Sequence, residues 1–202
     1  MRKKFLDFSM KSIQKKYPDY SEEKLEEIEY GLEALYITIT KTVVIAIISL
    51  ILGVLKEVLL ILVFYNILRT TAFGLHAKTS LQRYIMSFIF FVGAAIICKY
   101  VTIGFYVKVC LSIICFIHII IFAPADTYKR PLINKRKRNI YKLFSILISL
   151  IYVILIIYFN SSMISNFILF GLIDATLMIH PLMYRMFQLP YNNYKAYKEN
   201  YS

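Results

Sequence analysis

Apolar residues in this chain come in six runs, and the polar and charged residues cluster between them. The runs are 35–55, 58–68, 84–98, 109–123, 143–159 and 163–178. Uninterrupted apolar stretches of this kind predict membrane-spanning helices rather than the one-sided helices of a soluble core. The second and third runs are short for a hydrocarbon layer of ~30 Å. They predict either a discontinuous pair whose polar backbone lines a cavity, or full spans whose flanking Lys56, Arg69 and Arg83 reach out to the interface. Before the first run, residues 1–20 place Phe5, Phe8 and Ile13 among lysines, the pattern of a helix lying in the membrane interface. Pro18 interrupts that helix. Ser21 followed by Glu22 and Glu23 predicts a new helix start that continues through Glu33 into the first span. Pro124 ends the fourth span, and Asn160–Ser162 is a turn. The expected fold is all-α: a polytopic membrane protein of about six transmembrane helices with an N-terminal amphipathic helix. It forms one domain over 1–202, with a lead-in (1–34), a bundle (35–180) and a polar, tyrosine-rich tail (181–202).

Composition agrees with that reading and orients it. Of 202 residues, 59% are hydrophobic, and the mean hydropathy is +0.62; soluble domains have about 45–50% apolar residues. The net charge of +12 would suggest nucleic acid in a soluble protein. Here the basic residues flank the apolar runs, and no zinc-finger spacing or RNA-binding aromatic motif is present, so no nucleic-acid partner is expected. With six spans, twenty Lys or Arg fall on the side of the termini, and Lys56, Lys99 and Lys108 fall on the other. The positive side is cytoplasmic, which makes both termini cytoplasmic in a multi-pass protein of a cell membrane. The lipid bilayer is the first expected partner, and a homodimer is left open. The N-terminus does not read as a signal peptide, because its first 35 residues carry fifteen charges. Cys98, Cys110 and Cys115 lie inside apolar runs and read as buried thiols. No Cys/His metal spacing occurs, and neither a metal nor a cofactor is expected.

The chemistry concentrates in the polar stretch Arg69–Arg83, between the second and third runs. His76 sits at its centre, two residues after Gly74, where glycine allows positive φ or a close backbone approach. A helix from His76 onward would put Ser80 one turn on and Arg83 two turns on, all on one face. Such a face at membrane depth is a candidate site; a solvated loop between two spans is the plainer reading.

Two motifs carry a family resemblance. Phe-Gly-Leu-His-Ala-Lys-Thr-Ser (73–80), after a span ending in arginine, resembles the signature of the AgrB family. Phe-Ala-Pro-Ala-Asp-Thr-Tyr-Lys-Arg-Pro (122–131), followed by a Lys/Arg-rich loop, does so too, as does an acid, Asp174, in the last span. The resemblance implies a membrane-embedded cysteine endopeptidase of Gram-positive bacteria. Its partner would be a short signal-peptide precursor, cut and cyclised for quorum sensing. It implies that His76 is the base that takes a proton from a thiol nucleophile. The family's cysteine falls on Arg83, which is permanently protonated and cannot attack a carbonyl. Ser80 is the nearby hydroxyl on the expected face, but it lacks the orienting acid that a serine nucleophile needs.

The remaining candidates have a functional and a plainer reading each. Arg69, Lys129, Arg130, Arg136 and Arg138 would hold an acidic precursor segment, or anchor the chain to anionic lipid. Asp174 would orient His76 or hold a precursor lysine, or pair with Lys41 or Arg69 inside the bundle. His118 reads as a hydrogen-bonded core histidine, and His180 as the end of the last span. Three functions are therefore expected candidates: a precursor-processing peptidase, a pseudo-peptidase that binds the precursor or an active copy, and a small transporter.

Overall fold

The computed structural model describes residues 2–75, 79–127, 131–160 and 162–195, with Ser80 described by its backbone. Among these residues there is no strand beyond one isolated bridge, Phe73 with Ala125. The helices are α1 (Arg2–Lys16), α2 (Glu22–Ile51), α3 (Leu55–Ala72), α4 (Ser80–Ser87), a π-helical stretch (Phe88–Gly93), α5 (Ala94–Tyr100), α6 (Phe105–Phe122), α7 (Lys135–Tyr158), α8 (Met163–Ile179) and α9 (Pro181–Met186). The chain divides into two compact units, 1–50 and 51–202.

In the first unit, α1 stops before Pro18 and lies along the start of α2. Arg2 pairs with Glu33 at 2.9 Å, and the Phe5 and Tyr36 rings meet at 5.2 Å. The Ser21 hydroxyl accepts from Lys24 N at 3.3 Å and Glu22 and Glu23 fill the first turn, so the expected helix start is formed. From there α2 runs unbroken through Glu33 into the apolar run.

In the second unit the helices run beyond the apolar runs 58–68 and 84–98. Helix α3 has 18 residues and the apolar segment Leu81–Tyr100 has 20, ~27 and ~30 Å at 1.5 Å per residue; Leu81–Tyr100 is long and apolar enough to cross the hydrocarbon layer, while α3, which carries Lys56, Glu57 and Arg69, does not count among the helices that are. Arg69–Ala72 and Ser80–Arg83 are helical, and the polar gap shrinks to 73–79. Among the described residues, four helices are long and apolar enough to span a membrane, with the 17-residue α8 shorter. Their outer faces, for example Ile113, Ile114 and Ile117 on α6 and Leu147, Ile151 and Ile154 on α7, are exposed and apolar. That is a lipid-facing surface; in water it would be an aggregation face. This is a membrane protein built of helices.

Helix α8 is central because it is apolar nearly all round, leaving no face suited to water. Its Gly171 permits the closest approach to α3: a Cβ there would stand 2.7 Å from Phe64 Cβ and 3.0 Å from Tyr65 N. Polar groups inside the bundle find protein partners, since hydrocarbon offers none. The Tyr152 hydroxyl donates to Phe64 O at 2.8 Å, and the Ser145 hydroxyl to Thr71 Oγ1 at 3.0 Å, tying α7 to α3. Buried Lys108 donates to Ser165 Oγ at 2.8 Å and Asn160 O at 3.1 Å.

Three further expectations change. The basic stretch 124–142 is not all loop: Asn134 Oδ1 accepts from Arg136 N and Lys137 N, and α7 starts at Lys135. The polar tail contains α9 and a docked segment described below. Cys98 and Cys115 are buried, but Cys110 is exposed, because it faces outward from α6; all three are free thiols.

Candidate functional site

The site is built where α3 ends. Phe73 (φ 58) and Gly74 (φ 118) both take positive φ, a costly sequence for a non-glycine pair, and they turn the chain over the end of α8. The turn is fastened on several sides. Gly74 N donates to Ala125 O at 3.0 Å, Ala125 N to Ala72 O at 3.0 Å, and Leu75 N to Met178 O at 3.0 Å. Arg69 donates to Leu75 O at 2.8 Å and Phe73 O at 3.4 Å, with its guanidinium over the Tyr65 ring at 5.4 Å. The Phe73 ring meets Tyr141 of α7 edge-on at 4.9 Å. The expected positive φ at Gly74 is present, and so is the close approach. A Cβ there would lie 2.8 Å from Met178 O and 3.2 Å from Arg69 Nη1.

His76, Lys129 and Arg130 lie outside the described residues, and so does the Ser80 side chain. The helical face expected for positions 76, 80 and 83 therefore lies in part outside the described residues. Thr79 is extended (φ −106, ψ 154) and caps α4: its hydroxyl accepts from Gln82 N while Gln82 Oε1 accepts from Thr79 N, a capping box that starts the helix at Ser80. Arg83 lies half-buried on α4, and its Nε is buried without a hydrogen-bond partner among the described residues. None of the cysteines stands in for a thiol at 83. Cys98 is on α5, fifteen residues further along the same helical segment, ~22 Å away along the axis, and Cys110 and Cys115 are on α6.

Asp174 is buried on α8, and its Oδ2 has no hydrogen-bond partner among the described residues. It lies one turn from Met178, whose carbonyl holds Leu75, and three residues from Gly171 at the α3 contact. The acid therefore sits on the face of α8 beneath the turn. Arg136 is exposed on the first turn of α7, while Arg138 is half-buried against Tyr194, 3.9 Å from guanidinium carbon to ring centroid.

Sequence reasoning missed a second cluster beside this turn. Asp126, 4% exposed, binds the backbone of Leu132, Asn193 and Tyr194, and the buried Tyr184 hydroxyl donates to Asp126 O at 3.0 Å. Burial raises the Tyr184 phenol pKa, which keeps it a protonated donor. The available signal was Asp126 itself, the lone acid between Asn66 and Ile173. His180 ends α8 as expected, and its Nδ1 caps α9 by accepting from Leu182 N at 3.1 Å. Burial and neighbouring His118 lower its affinity for a proton. His118 is hydrogen-bonded, Nδ1 to Ile114 O at 2.9 Å. Among the described residues, no group of three or more His, Cys, Asp or Glu could hold a metal ion.

Comparison with known proteins places this arrangement. The family model "Accessory gene regulator B" matches residues 8–183. An AgrB-like protein of Clostridium acetobutylicum is 27% identical over 175 residues, covering 87% of this chain and 84% of its own. An AgrB-like protein of Listeria monocytogenes is 28% identical over 177 residues, covering 88% and 87%. The accessory gene regulator protein B of Staphylococcus saprophyticus is 28% identical over 186 residues, covering 90% and 96%. No solved structure matches. The match runs from within α1 to within α9 and takes in the Gly74 turn and Asp126, with Tyr184, Asn193 and Tyr194 beyond its end, and it makes this chain a member of the AgrB family.

Proposed function

We propose that this chain engages a short signal-peptide precursor at the cytoplasmic face of a bacterial membrane, in the system that family membership assigns it to. The supporting observation is the fastened turn: Arg69, Gly74, Ala125 and Met178 hold the backbone up to Leu75, immediately before His76. Holding a loop this firmly in membrane-embedded protein makes sense where the next side chain must be placed to within a fraction of an ångström. The basic residues of 129–138 and buried Asp174 are the groups proposed to hold the precursor's acidic and basic segments.

A working endopeptidase and a precursor-binding pseudo-peptidase are two forms of this reading. Arg83 favours the second: the family resemblance puts the nucleophile there, a guanidinium cannot serve, and no thiol stands in for it. The transporter reading draws on short, broken spans and an intramembrane acid; Leu81–Tyr100 is long enough to span, and Asp174 is assigned here to precursor binding instead.

The test is co-expression of the chain with a synthetic-gene library of short amphipathic peptides that carry one cysteine or serine before an acidic tail, with crosslinking and mass spectrometry. The wild-type chain should crosslink such a peptide and leave it uncut. Arg83→Cys should gain cleavage that Arg83→Cys with His76→Ala lacks. Absence of any crosslink overturns precursor engagement. Wild-type cleavage that persists in His76→Ala puts the chemistry elsewhere, and wild-type cleavage lost in Ser80→Ala makes Ser80 the nucleophile. The topology has its own check. Cysteine labelling from outside the cell should reach position 161 and spare position 135, and the reverse pattern inverts the assignment.

A further inference from the structure

Asp126 binds a part of the chain far from it in sequence. Its Oδ1 accepts from Asn193 N at 2.9 Å, and its Oδ2 from Tyr194 N at 2.7 Å and Leu132 N at 3.3 Å. The Asn193 side chain, itself buried, closes the segment by donating to Pro190 O at 3.0 Å and Asp126 O at 3.4 Å. A carboxylate taken out of water must have its lone pairs met, and here three backbone amides meet them. The residues 190–195 are thereby clasped to the loop that follows α6.

The clasp has a consequence on α7. Tyr194, fixed by its own amide, lies 3.9 Å from the Arg138 guanidinium carbon. A guanidinium stacked on a ring has its plane set and loses little freedom when it binds. Yet Arg138 Nη1 is buried and has no hydrogen-bond partner among the described residues. A buried cationic donor with a fixed plane and no acceptor is matched by an anionic oxygen, above all by a planar carboxylate.

We propose that Tyr194 presets Arg138 to bind a carboxylate of an acidic peptide segment, and that Asp126 is a positioning residue acting through the clasped C-terminal segment. This rests on the reading that the chain binds a precursor, and it adds the tail as a working part of that surface. The order of action is Asp126 to the Asn193 and Tyr194 amides, the Tyr194 ring to the Arg138 plane, and Arg138 to the peptide.

The experiment uses the full chain in phosphatidylcholine nanodiscs and a fluorescent synthetic peptide rich in Asp and Glu. The same peptide with Asn and Gln serves as control. Wild type should bind the acidic peptide and not the control. Tyr194→Ala and Asp126→Asn should each weaken binding by about tenfold, as should Arg138→Lys, which keeps the charge but not the plane. Tyr194→Phe keeps the ring and should bind like wild type. Hydrogen exchange should show the 193–194 amides opening faster in Asp126→Asn and unchanged in Arg138→Lys. Acidic-peptide binding that is indifferent to Tyr194→Ala or Arg138→Lys overturns this proposal and leaves precursor engagement standing. Weakened binding in Asp126→Asn without faster exchange at 193–194 also overturns it, because the clasp is then not the route. If anionic phosphatidylglycerol discs occupy Arg138 and the acidic peptide binds no disc, the group serves lipid and the proposal falls. The precursor crosslink then decides the broader reading separately.

Discussion

Residues 68–75 and 79–83 flank the same three positions and are held in different ways. Before position 76, the backbone is fastened to the loop after α6 through Ala125, to the end of α8 through Met178, and back to α3 through Arg69. After position 78, the hydrogen bonds of Thr79–Arg83 are local, a capping box and the first turn of α4, and Arg83 Nε has no partner among the described residues. One flank is fixed by backbone contacts that admit few substitutions. The other is fixed by its own helix start, where side chains can change with little structural cost. Arg83 stands on the tolerant flank, while the glycine and arginine of the other flank have structural duties.

The comparison would be sharpened most by Arg69→Ala. It leaves two carbonyls without their cationic donor, at about 1.5–3 kcal/mol each, and should cause the largest loss of thermal stability in detergent. Arg69→Lys should recover less than half of that loss, because a single ammonium does not span both carbonyls. Gly74→Ala comes next: strain at positive φ and a Cβ 2.8 Å from Met178 O together cost about 2–3 kcal/mol. Gly104→Ala, with nothing within 4 Å of the added atom, is the matched control and should be neutral. Arg83→Met should change stability by less than about 1 kcal/mol, since it removes a partly buried donor that lacks a partner. A loss of 2 kcal/mol or more there would break the comparison, as it would show the second flank to be built around its arginine. The smallest effect is at His180, beside the Met178 anchor. Its folded-state proton affinity is lowered, so the unfolded chain binds the extra proton as pH falls through ~6.5. The stability it contributes is present above that pH and declines below it. Melting curves from pH 8 to pH 5 should flatten slightly in His180→Asn, which keeps an acceptor for Leu182 N.

Much of the bundle was legible because apolar runs and their breakers act locally. Ser21, Pro18, Pro124 and Asn160 each do in the structure what their side chains dictate. The bounds of the second and third runs fall short of the helices because Arg69–Ala72 and Ser80–Arg83 look polar in sequence, yet their backbones satisfy themselves in helices. The same holds for Lys135–Lys142, a charge cluster that winds into α7. At the site, Gly74 announced its positive φ, but the partners of the turn, Ala125 and Met178, are backbone carbonyls and amides. Backbone groups are common to every residue and leave no mark in a sequence. The Asp126 clasp was hidden for a related reason: two of its three amide partners lie 67 and 68 residues away, and a carboxylate that binds main chain imposes no residue type on the segment it holds.

The start of α7 carries one more implication. Four successive cations, Lys135 to Arg138, occupy its first turn with no acidic residue among them. The peptide dipoles of a helix already make that end positive, so these charges repel both the dipole and one another. The first turn is therefore wound against its own electrostatics, and any anion that settles there shifts the balance toward the helical state. Helix α7 then has a length set partly by its surroundings. It should fray toward Asn139 in neutral, low-salt detergent and rewind to Lys135 on an anionic surface, so that the membrane's charge is read out as the position of a helix end.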